Sequence, residues 1–172
     1  MKATKMLFLL LMTAGSPMLG GQTAAAGKGD APPELVGTWT AVSVEDHMAD
    51  GSAHIPSYGS HPRGYLMYDA GGHMAVQLMN PERDHHDLRT ATPEQLKSAT
   101  RGFLAYSGTY TVDRAKGTIV HHVECALNPD DVGKDRVRRF VLDGDRLTLT
   151  VDGFNDYGTT VQTRVLVWQR VR

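Results

Sequence analysis

Two adjacent histidines and a glutamate stand inside a segment that has the composition of a β-strand. The segment is GTIVHHVECALNP, residues 117–129, and its polar centre contains His121, His122 and Glu124. An imidazole can accept or donate a proton near neutral pH, and a neighbouring carboxylate can orient it. Because successive residues of a strand point to opposite faces, only one of the two histidines can face the interior of a sheet.

The preceding strand predicts this facing, because it alternates two kinds of side chain. Tyr106, Gly108 and Tyr110 share one face, and the other face carries short hydroxyl side chains, so we expect the tyrosine face to point inwards. Residues that pair directly across an antiparallel ladder share a face. We take a turn that places Val112 opposite Thr118 as the expected register.

In that register His122 lies opposite Gly108, and Glu124 lies opposite Tyr106. We therefore predict that His122 and Glu124 face the interior and that His121 faces outwards. A one-residue bulge in the turn would reverse the assignment. The space that Gly108 leaves above the imidazole is the predicted place for a ligand.

An arginine of the next strand is predicted to join this group. Arg138 shares a face with Phe140 and Leu142, whose size and apolar character place that face inside. A buried charge without a partner is costly, so we expect Arg138 to pair with Glu124, beside His122. Aromatic and polar residues of neighbouring strands complete the predicted ligand-contacting set, which is Tyr68, Gln77, Tyr106, Tyr110, His122, Glu124, Arg138 and Phe140. The alternative is a polar network that only specifies packing.

These residues require a framework of short strands joined by turns. Thr92 and Pro93 mark the start of one short amphipathic helix, predicted over 93–104. The strands are predicted over 35–45, 64–68, 73–79, 106–112, 118–127, 136–142, 146–151 and 160–171. An antiparallel chain of eight strands removes its sheet edges by closing into a barrel. We therefore expect an all-β protein, an eight-stranded up-and-down barrel whose interior holds side chains or one small ligand.

Several segments in combination resemble the bacterial and fungal lipocalin-like domain family. They are the G-x-W motif Gly37-Thr38-Trp39 and the segments 64–79, 103–113, 120–124 and 137–150. The resemblance covers residues 35–172 and implies a small lipocalin-like (calycin-type) barrel. It also implies structural roles for Gly37, for Trp39 at the barrel base, and for an arginine lying across that indole, either Arg170 or Arg172.

The N-terminal residues have the pattern of a secretory signal peptide. Lys2 and Lys5 precede an apolar run too short to span a bilayer, and Ala24-Ala25-Ala26 offers a cleavage site. We predict cleavage after Ala26, export to the periplasm or medium, a flexible leader over 27–34, and one domain over 35–172. No stable membrane insertion is expected.

Composition narrows the function classes. The formal net charge is −1 and no long basic run occurs, so nucleic acid is not an expected partner. The single cysteine excludes an intramolecular disulfide. Eight histidines are present, but their spacing does not gather the three or four ligands that zinc needs, and the sequence has no nucleotide-binding or nucleophile-elbow motif. We expect no metal and no cofactor.

Three functions remain. The favoured one is a binding module, a monomer or weak dimer that holds a small, mostly apolar molecule with one polar or anionic group. The second is an isomerase or cyclase in which His122 transfers protons, Glu124 orients it and Arg138 stabilises developing negative charge. The third is an envelope-stress or folding factor that uses an open barrel mouth.

Overall fold

A computed structural model describes residues 32–172 of the chain. The predicted signal peptide and residues 27–31 of the predicted leader lie outside the described residues. The described strands are β1 (Gly37–His47), β2 (Ala53–His54), β3 (Arg63–Tyr68), β4 (His73–Met79), β5 (Phe103–Asp113), β6 (Thr118–Ala126), β7 (Asp135–Asp143), β8 (Arg146–Asp156) and β9 (Thr159–Arg170). An α-helix, α1 (Pro93–Arg101), lies between β4 and β5, and a 3₁₀ turn (Pro129–Asp131) precedes β7.

The sheet is a closed, eight-stranded, antiparallel up-and-down barrel, as predicted. Strands β1 and β3 to β9 follow one another around the sheet, and β9 pairs with β1 to close it. The two-residue strand β2 was not predicted, and it adds to the end of β1. No helix within residues 32–172 is long and apolar enough to cross a membrane.

The base of the barrel is closed around Trp39. Its indole is fully buried and donates a hydrogen bond from Nε1 to the carbonyl oxygen of Leu35, at 3.0 Å. The guanidinium carbon of Arg170 lies 4.1 Å from the centre of the Trp39 ring, and Arg170 Nη1 donates to the carbonyl oxygen of Val36. The guanidinium thus stacks on the indole, the arrangement that the family resemblance implied, and Arg170 rather than Arg172 occupies the position.

The helix is shorter than predicted, and it does not bury an apolar face. Thr92 caps it as expected, in a capping box with Gln95, and Gly102 forms the C-terminal cap. No residue of α1 is buried, and Leu96 is 41% exposed. The predicted helix and its cap are confirmed, and only its end differs, at Arg101 instead of residue 104.

The residues after Gly102 belong to the barrel and not to the helix. Phe103 and Leu104 begin β5, where they pair with Met79 and Leu78 of β4. The strand pairing of these apolar residues overrides their helical spacing. As a result, the C-terminal end of α1 lies beside the end of the barrel that is opposite Trp39.

Strands β8 and β9 also extend beyond their predicted ends. Both continue to a two-residue turn, Tyr157-Gly158, in which both residues have positive φ angles of 49° and 98°. This is the backbone of a tight hairpin turn that suits the twist of the flanking strands. The hairpin therefore projects to the same end of the barrel as α1.

Candidate functional site

A cavity of about 380 Å³ opens at the end of the barrel opposite Trp39. It lies between the C-terminal end of α1, the start of β7 and the β8–β9 hairpin. Apolar side chains form much of its wall, among them Leu104, Val151, Phe154 and Leu166. Its polar lining includes Arg136, Arg138, Arg164, Asp131, Asp156 and Tyr58.

A hydrogen-bonded chain connects this cavity with the deep interior. Arg138 Nη2 donates to the hydroxyl of Tyr106 at 2.9 Å, and that hydroxyl lies 2.8 Å from His121 Nδ1. On the other side of the imidazole, His121 Nε2 lies 2.6 Å from the hydroxyl of Tyr68. Tyr68 also packs on Tyr110, with ring centres 4.7 Å apart. The four polar groups come from β3, β5, β6 and β7, so the closure of the barrel is what brings them together.

His121 is neutral in this arrangement. Burial, and then the positive charges of Arg138 and Arg136, hold the pKa of His121 well below its ordinary value. Burial likewise raises the pKa of Tyr68 well above its ordinary value, so its hydroxyl keeps its proton. A neutral imidazole donates through one nitrogen and accepts through the other, and each nitrogen here has a tyrosine hydroxyl as its partner.

Arg138 carries a buried charge that the described residues do not neutralise. Arg138 is 7% exposed, and within residues 32–172 its guanidinium makes one hydrogen bond, to the hydroxyl of Tyr106. No carboxylate within residues 32–172 lies within 4.0 Å of its guanidinium. Because a guanidinium has five N–H donors, most of the donors of Arg138 remain available at the cavity wall.

The neighbouring Arg136 is in a different electrostatic position. Its Nη2 lies 2.5 Å from Asp131 Oδ1, and its guanidinium carbon lies 5.5 Å from the centre of the Tyr106 ring. Arg136 is therefore neutralised by an acid of the 3₁₀ turn, and Arg138 provides the unneutralised positive charge of this side of the cavity.

A second polar cluster lines the cavity from β9. Arg164 donates from Nε and Nη2 to the two carboxylate oxygens of Asp46, at 2.6 and 2.7 Å, and also from Nη2 to Asp156, at 2.6 Å. Arg164 Nη1 donates to the hydroxyl of Tyr58. Asp46 is fully buried, and Arg164 is 7% exposed. In contrast to Arg138, this guanidinium is paired on all sides.

The mouth of the cavity is bordered by Arg101 and Tyr157. The guanidinium carbon of Arg101, the last residue of α1, lies 4.8 Å from the centre of the Tyr157 ring at the tip of the β8–β9 hairpin. This contact connects α1 with the hairpin at the entrance.

The predicted facing of β6 is wrong. The structure pairs Asp113 with Thr118, so Val112 lies opposite Ile119 and Tyr110 lies opposite His121. This is a shift of one residue from the predicted register, and such a shift turns every side chain of a strand to the other face.

The side chains of β6 follow this shifted register. His121 is therefore buried and His122 faces outwards. A bulge beside Ser107 and Gly108 leaves Glu124 unpaired, and this residue is exposed.

On the outer surface His122 has its own partners. Its Nδ1 lies 2.7 Å from Asp135 Oδ1, and its Nε2 lies 3.1 Å from Thr111 Oγ1. The predicted pair of Glu124 and Arg138 does not form, because the two side chains are on opposite sides of the barrel wall. The constellation of His122, Glu124 and Arg138 that the enzyme hypothesis needs is therefore not assembled.

The other predicted site residues divide by strand parity. Gln77 is exposed on the outer face of β4. Five predicted residues do lie on the inside of the barrel, and they are Tyr68, Tyr106, Tyr110, Arg138 and Phe140. Within residues 32–172, no group of three or more histidine, cysteine or acidic side chains is placed to hold a metal ion.

Several residues of the cavity were not predicted. The inward position of Arg164 could have been predicted from the sequence, because it lies on the same face of β9 as Leu166 and Trp168, which are large and buried. Asp46 and Tyr58 had no such signal, since they lie at or beyond the end of β1, where the sequence reads as a polar loop. Arg136 shares the parity of Arg138 and could have been found with it.

Comparison with known proteins agrees with this architecture. A family model described as a lipocalin-like domain matches residues 36–171. The chain therefore belongs to the lipocalin-like domain family.

A curated relative adds a functional class. This protein of Aspergillus oryzae (strain ATCC 42149 / RIB 40) is named 4'-hydroxy-3'-methoxypropiophenone carrier protein ppsC. It is 33% identical over an alignment of 86 residues, and the match covers 45% of this chain and 78% of the relative. A solved redesigned beta barrel is 15% identical, with a TM-score of 0.38 over 80% of this chain and 92% of that chain. The family and the carrier relative together support small-molecule binding.

Proposed function

We propose that this protein binds a small, mostly apolar molecule in the barrel cavity and holds a polar or anionic group of that molecule on Arg138. The observation that carries the proposal is the buried, unneutralised guanidinium at the cavity wall. Burying a charge without a partner costs roughly several kcal/mol, even after the surrounding protein relaxes. A ligand acceptor that meets Arg138 offsets that cost when it binds.

The size and lining of the cavity support a ligand of modest dimensions. Its volume of about 380 Å³ lies in the range of small-molecule sites. Phe103, Leu104, Val151, Phe154 and Leu166 provide the apolar wall beside the charged lining, in which Arg138 is the buried arginine that has no carboxylate partner among residues 32–172. A single aromatic ring with short substituents matches this combination of apolar surface and one strong hydrogen-bond donor.

The name of the relative suggests the ligand type. An aryl ketone with a phenolic hydroxyl, as in the name of the Aspergillus protein, is a small aromatic molecule whose carbonyl oxygen can accept from a guanidinium. A carboxylate on a similar ring would make a charge-assisted bond with Arg138 and bind more tightly. We therefore propose small aromatic ketones and acids as the ligand class.

Export is the second part of the proposal. The charged start, the short apolar run and Ala24-Ala25-Ala26 support cleavage after Ala26 and a role in the periplasm or the medium, as a monomer or weak dimer. Intact-mass measurement of the protein that the producing cell secretes tests cleavage directly. A secreted chain that retains residues 1–26 would contradict it.

Isothermal titration calorimetry tests the binding site. We would titrate 4'-hydroxy-3'-methoxypropiophenone and 4-hydroxy-3-methoxycinnamate into the wild type, Arg138→Met and Arg139→Met. Arg139 is the matched control, because it is the next residue of β7, faces outwards and pairs with Asp152. We expect Arg138→Met to weaken binding of the acid at least about tenfold, since a charge-assisted hydrogen bond is lost.

The control variant should bind as the wild type does. Equal binding by wild type and Arg138→Met, or no binding by the wild type, would contradict the proposal.

A further inference from the structure

The cavity contains a second polar region whose chemistry is opposite to that of Arg138. Asp156 lines the cavity and donates nothing, because a carboxylate only accepts hydrogen bonds. Asp156 Oδ2 accepts a hydrogen bond from Arg164 Nη2, and Asp156 Oδ1 accepts no hydrogen bond from the described residues. The side chain of Asp156 is 15% exposed, and it forms part of the cavity lining.

The charged groups of this region carry one more negative charge than positive charge, so the region favours a ligand group that donates a hydrogen bond. Asp46 and Asp156 carry two negative charges, and Arg164 carries one positive charge. Arg164 is fully engaged by the two acids and Tyr58, so it is not free to bind an anion. His54 Nδ1 lies 3.7 Å from Asp46, with its side chain 43% exposed, on the outer side of the cluster.

Strand register places the backbones of Arg138 and of Arg164, the partner of Asp156, on either side of β8. Arg139 pairs with Thr150 and Val151 pairs with Arg164, so Arg138 and Arg164 stand at the same level on β7 and β9, with β8 between them. Two inter-strand spacings separate their backbones by roughly 10 Å. Val151 and Phe154 of β8 supply apolar surface along this path.

We propose that the cavity selects ligands with two polar ends, an acceptor or anionic group for Arg138 and a hydroxyl or amino hydrogen for Asp156, joined by an aromatic middle. The inference rests on the proposed function, because it assumes that Arg138 holds one end. A simple fatty acid satisfies Arg138 and leaves the free oxygen of Asp156 against a hydrocarbon chain. An unpaired, desolvated carboxylate oxygen opposes such a ligand, so the second region provides specificity.

A matched pair of probes isolates the second end. 4-Hydroxycinnamate and 4-methoxycinnamate have the same carboxylate and ring, but only the first has a hydroxyl hydrogen to donate. We would measure both dissociation constants by calorimetry for the wild type, Asp156→Ala and Asp156→Asn. Asp152→Ala is the control, because Asp152 is an acid on the same strand that pairs with Arg139 outside the barrel.

The wild type and Asp152→Ala are expected to prefer the hydroxy probe about tenfold, the range of a hydrogen bond to a charged group. Asp156→Ala is expected to lose the preference while it still binds the methoxy probe, and Asp156→Asn, which keeps one oxygen, should be intermediate. If Asp156→Ala does not fold, the preference of the wild type and the result for Asp156→Asn still test whether Asp156 binds the second polar end of the ligand.

The outcomes separate the two proposals. Binding of both probes that depends on Arg138 but shows no preference for the hydroxy probe in the wild type overturns the two-ended ligand and leaves the proposed function intact. A preference that survives Asp156→Ala also overturns it. Probe binding that does not change in Arg138→Met overturns the proposed function itself.

Discussion

Replacing each of the two buried arginines with methionine should change the free energy of unfolding very differently. Arg138 and Arg164 are both 7% exposed, but their partners differ. Among residues 32–172 the guanidinium of Arg138 makes one hydrogen bond, to Tyr106, and that hydroxyl keeps its contact with His121 when the guanidinium is removed. Arg138→Met therefore loses one charge-assisted hydrogen bond, about 1.5–3 kcal/mol, and removes a buried unpaired charge that costs several kcal/mol. We expect the free energy of unfolding to stay constant or to rise.

Arg164→Met should destabilise the barrel strongly. The change leaves Asp46, which is fully buried, without the guanidinium that binds both of its oxygens. Removing one partner of a buried ion pair typically costs about 3–5 kcal/mol, because the other charge stays uncompensated. At about 2–4 °C of melting temperature per kcal/mol for a chain of this size, the melting temperature should fall by roughly 10 °C or more.

Urea and thermal unfolding, followed by tryptophan fluorescence and circular dichroism in the absence of ligand, measure both effects. Arg139→Met is the surface control, and it should change the free energy of unfolding by no more than about 1 kcal/mol, since it breaks only an exposed pair with Asp152. If Arg138→Met lost as much stability as Arg164→Met, Arg138 would be part of the structural framework. That result would refute a binding role for Arg138.

Three further predictions concern the framework of the site. Because burial and two arginines depress the pKa of His121, the unfolded chain takes up a proton below about pH 6.5 that the folded chain does not. The free energy of unfolding should fall as pH decreases below that value, by up to about 1.4 kcal/mol per pH unit. Urea titrations of His121→Gln should lack this contribution to the pH dependence. Equal pH slopes in the two proteins would count against a neutral buried imidazole. Arg170→Ala should lower the free energy of unfolding by about 2 kcal/mol, because it loses the stacking on Trp39 and the hydrogen bond to the Val36 carbonyl oxygen. In the same denaturation assay, Arg172→Ala loses only an exposed ion pair and should lower it by less than about 0.5 kcal/mol. Similar losses for the two arginines would contradict the stacked role. In Gly108→Ala, the new Cβ would lie 2.0 Å from a backbone oxygen of β6, so chemical denaturation should show a loss of about 3 kcal/mol or more, and a stable variant would show that the bulge can shift.

The sequence predicted the barrel because its signals are redundant. Eight strand patterns, turn residues between them and the resemblance that begins at Gly37 and Trp39 all indicate the same closed sheet, so an error in any single strand end did not change the fold. The helix was less accurate. Its cap at Thr92 was readable, but its end depended on the pairing of Phe103 with Met79, a contact distant in sequence.

The site was harder to predict because it depends on register. Arg138 could be placed inside from the apolar residues that share its face. The choice between His121 and His122 depended on whether Asp113 joins the strand or the turn, and one residue decided it. Tyr58 reaches the cavity from a loop, and no periodic pattern in the sequence indicates such a position.

In the proposed function, Arg138 receives the polar group of the ligand inside the cavity. The most direct measurement is the ¹H–¹⁵N spectrum of the arginine Nε groups of the wild type, recorded with and without saturating 4-hydroxy-3-methoxycinnamate, with the Arg138 and Arg139 signals assigned from their methionine variants. We predict that the Arg138 Nε–H resonance shifts markedly and that the Arg139 resonance, on the outer surface, does not move. An Arg138 resonance that does not move at saturation, or equal shifts of the Arg138 and Arg139 resonances, would contradict a ligand contact at Arg138.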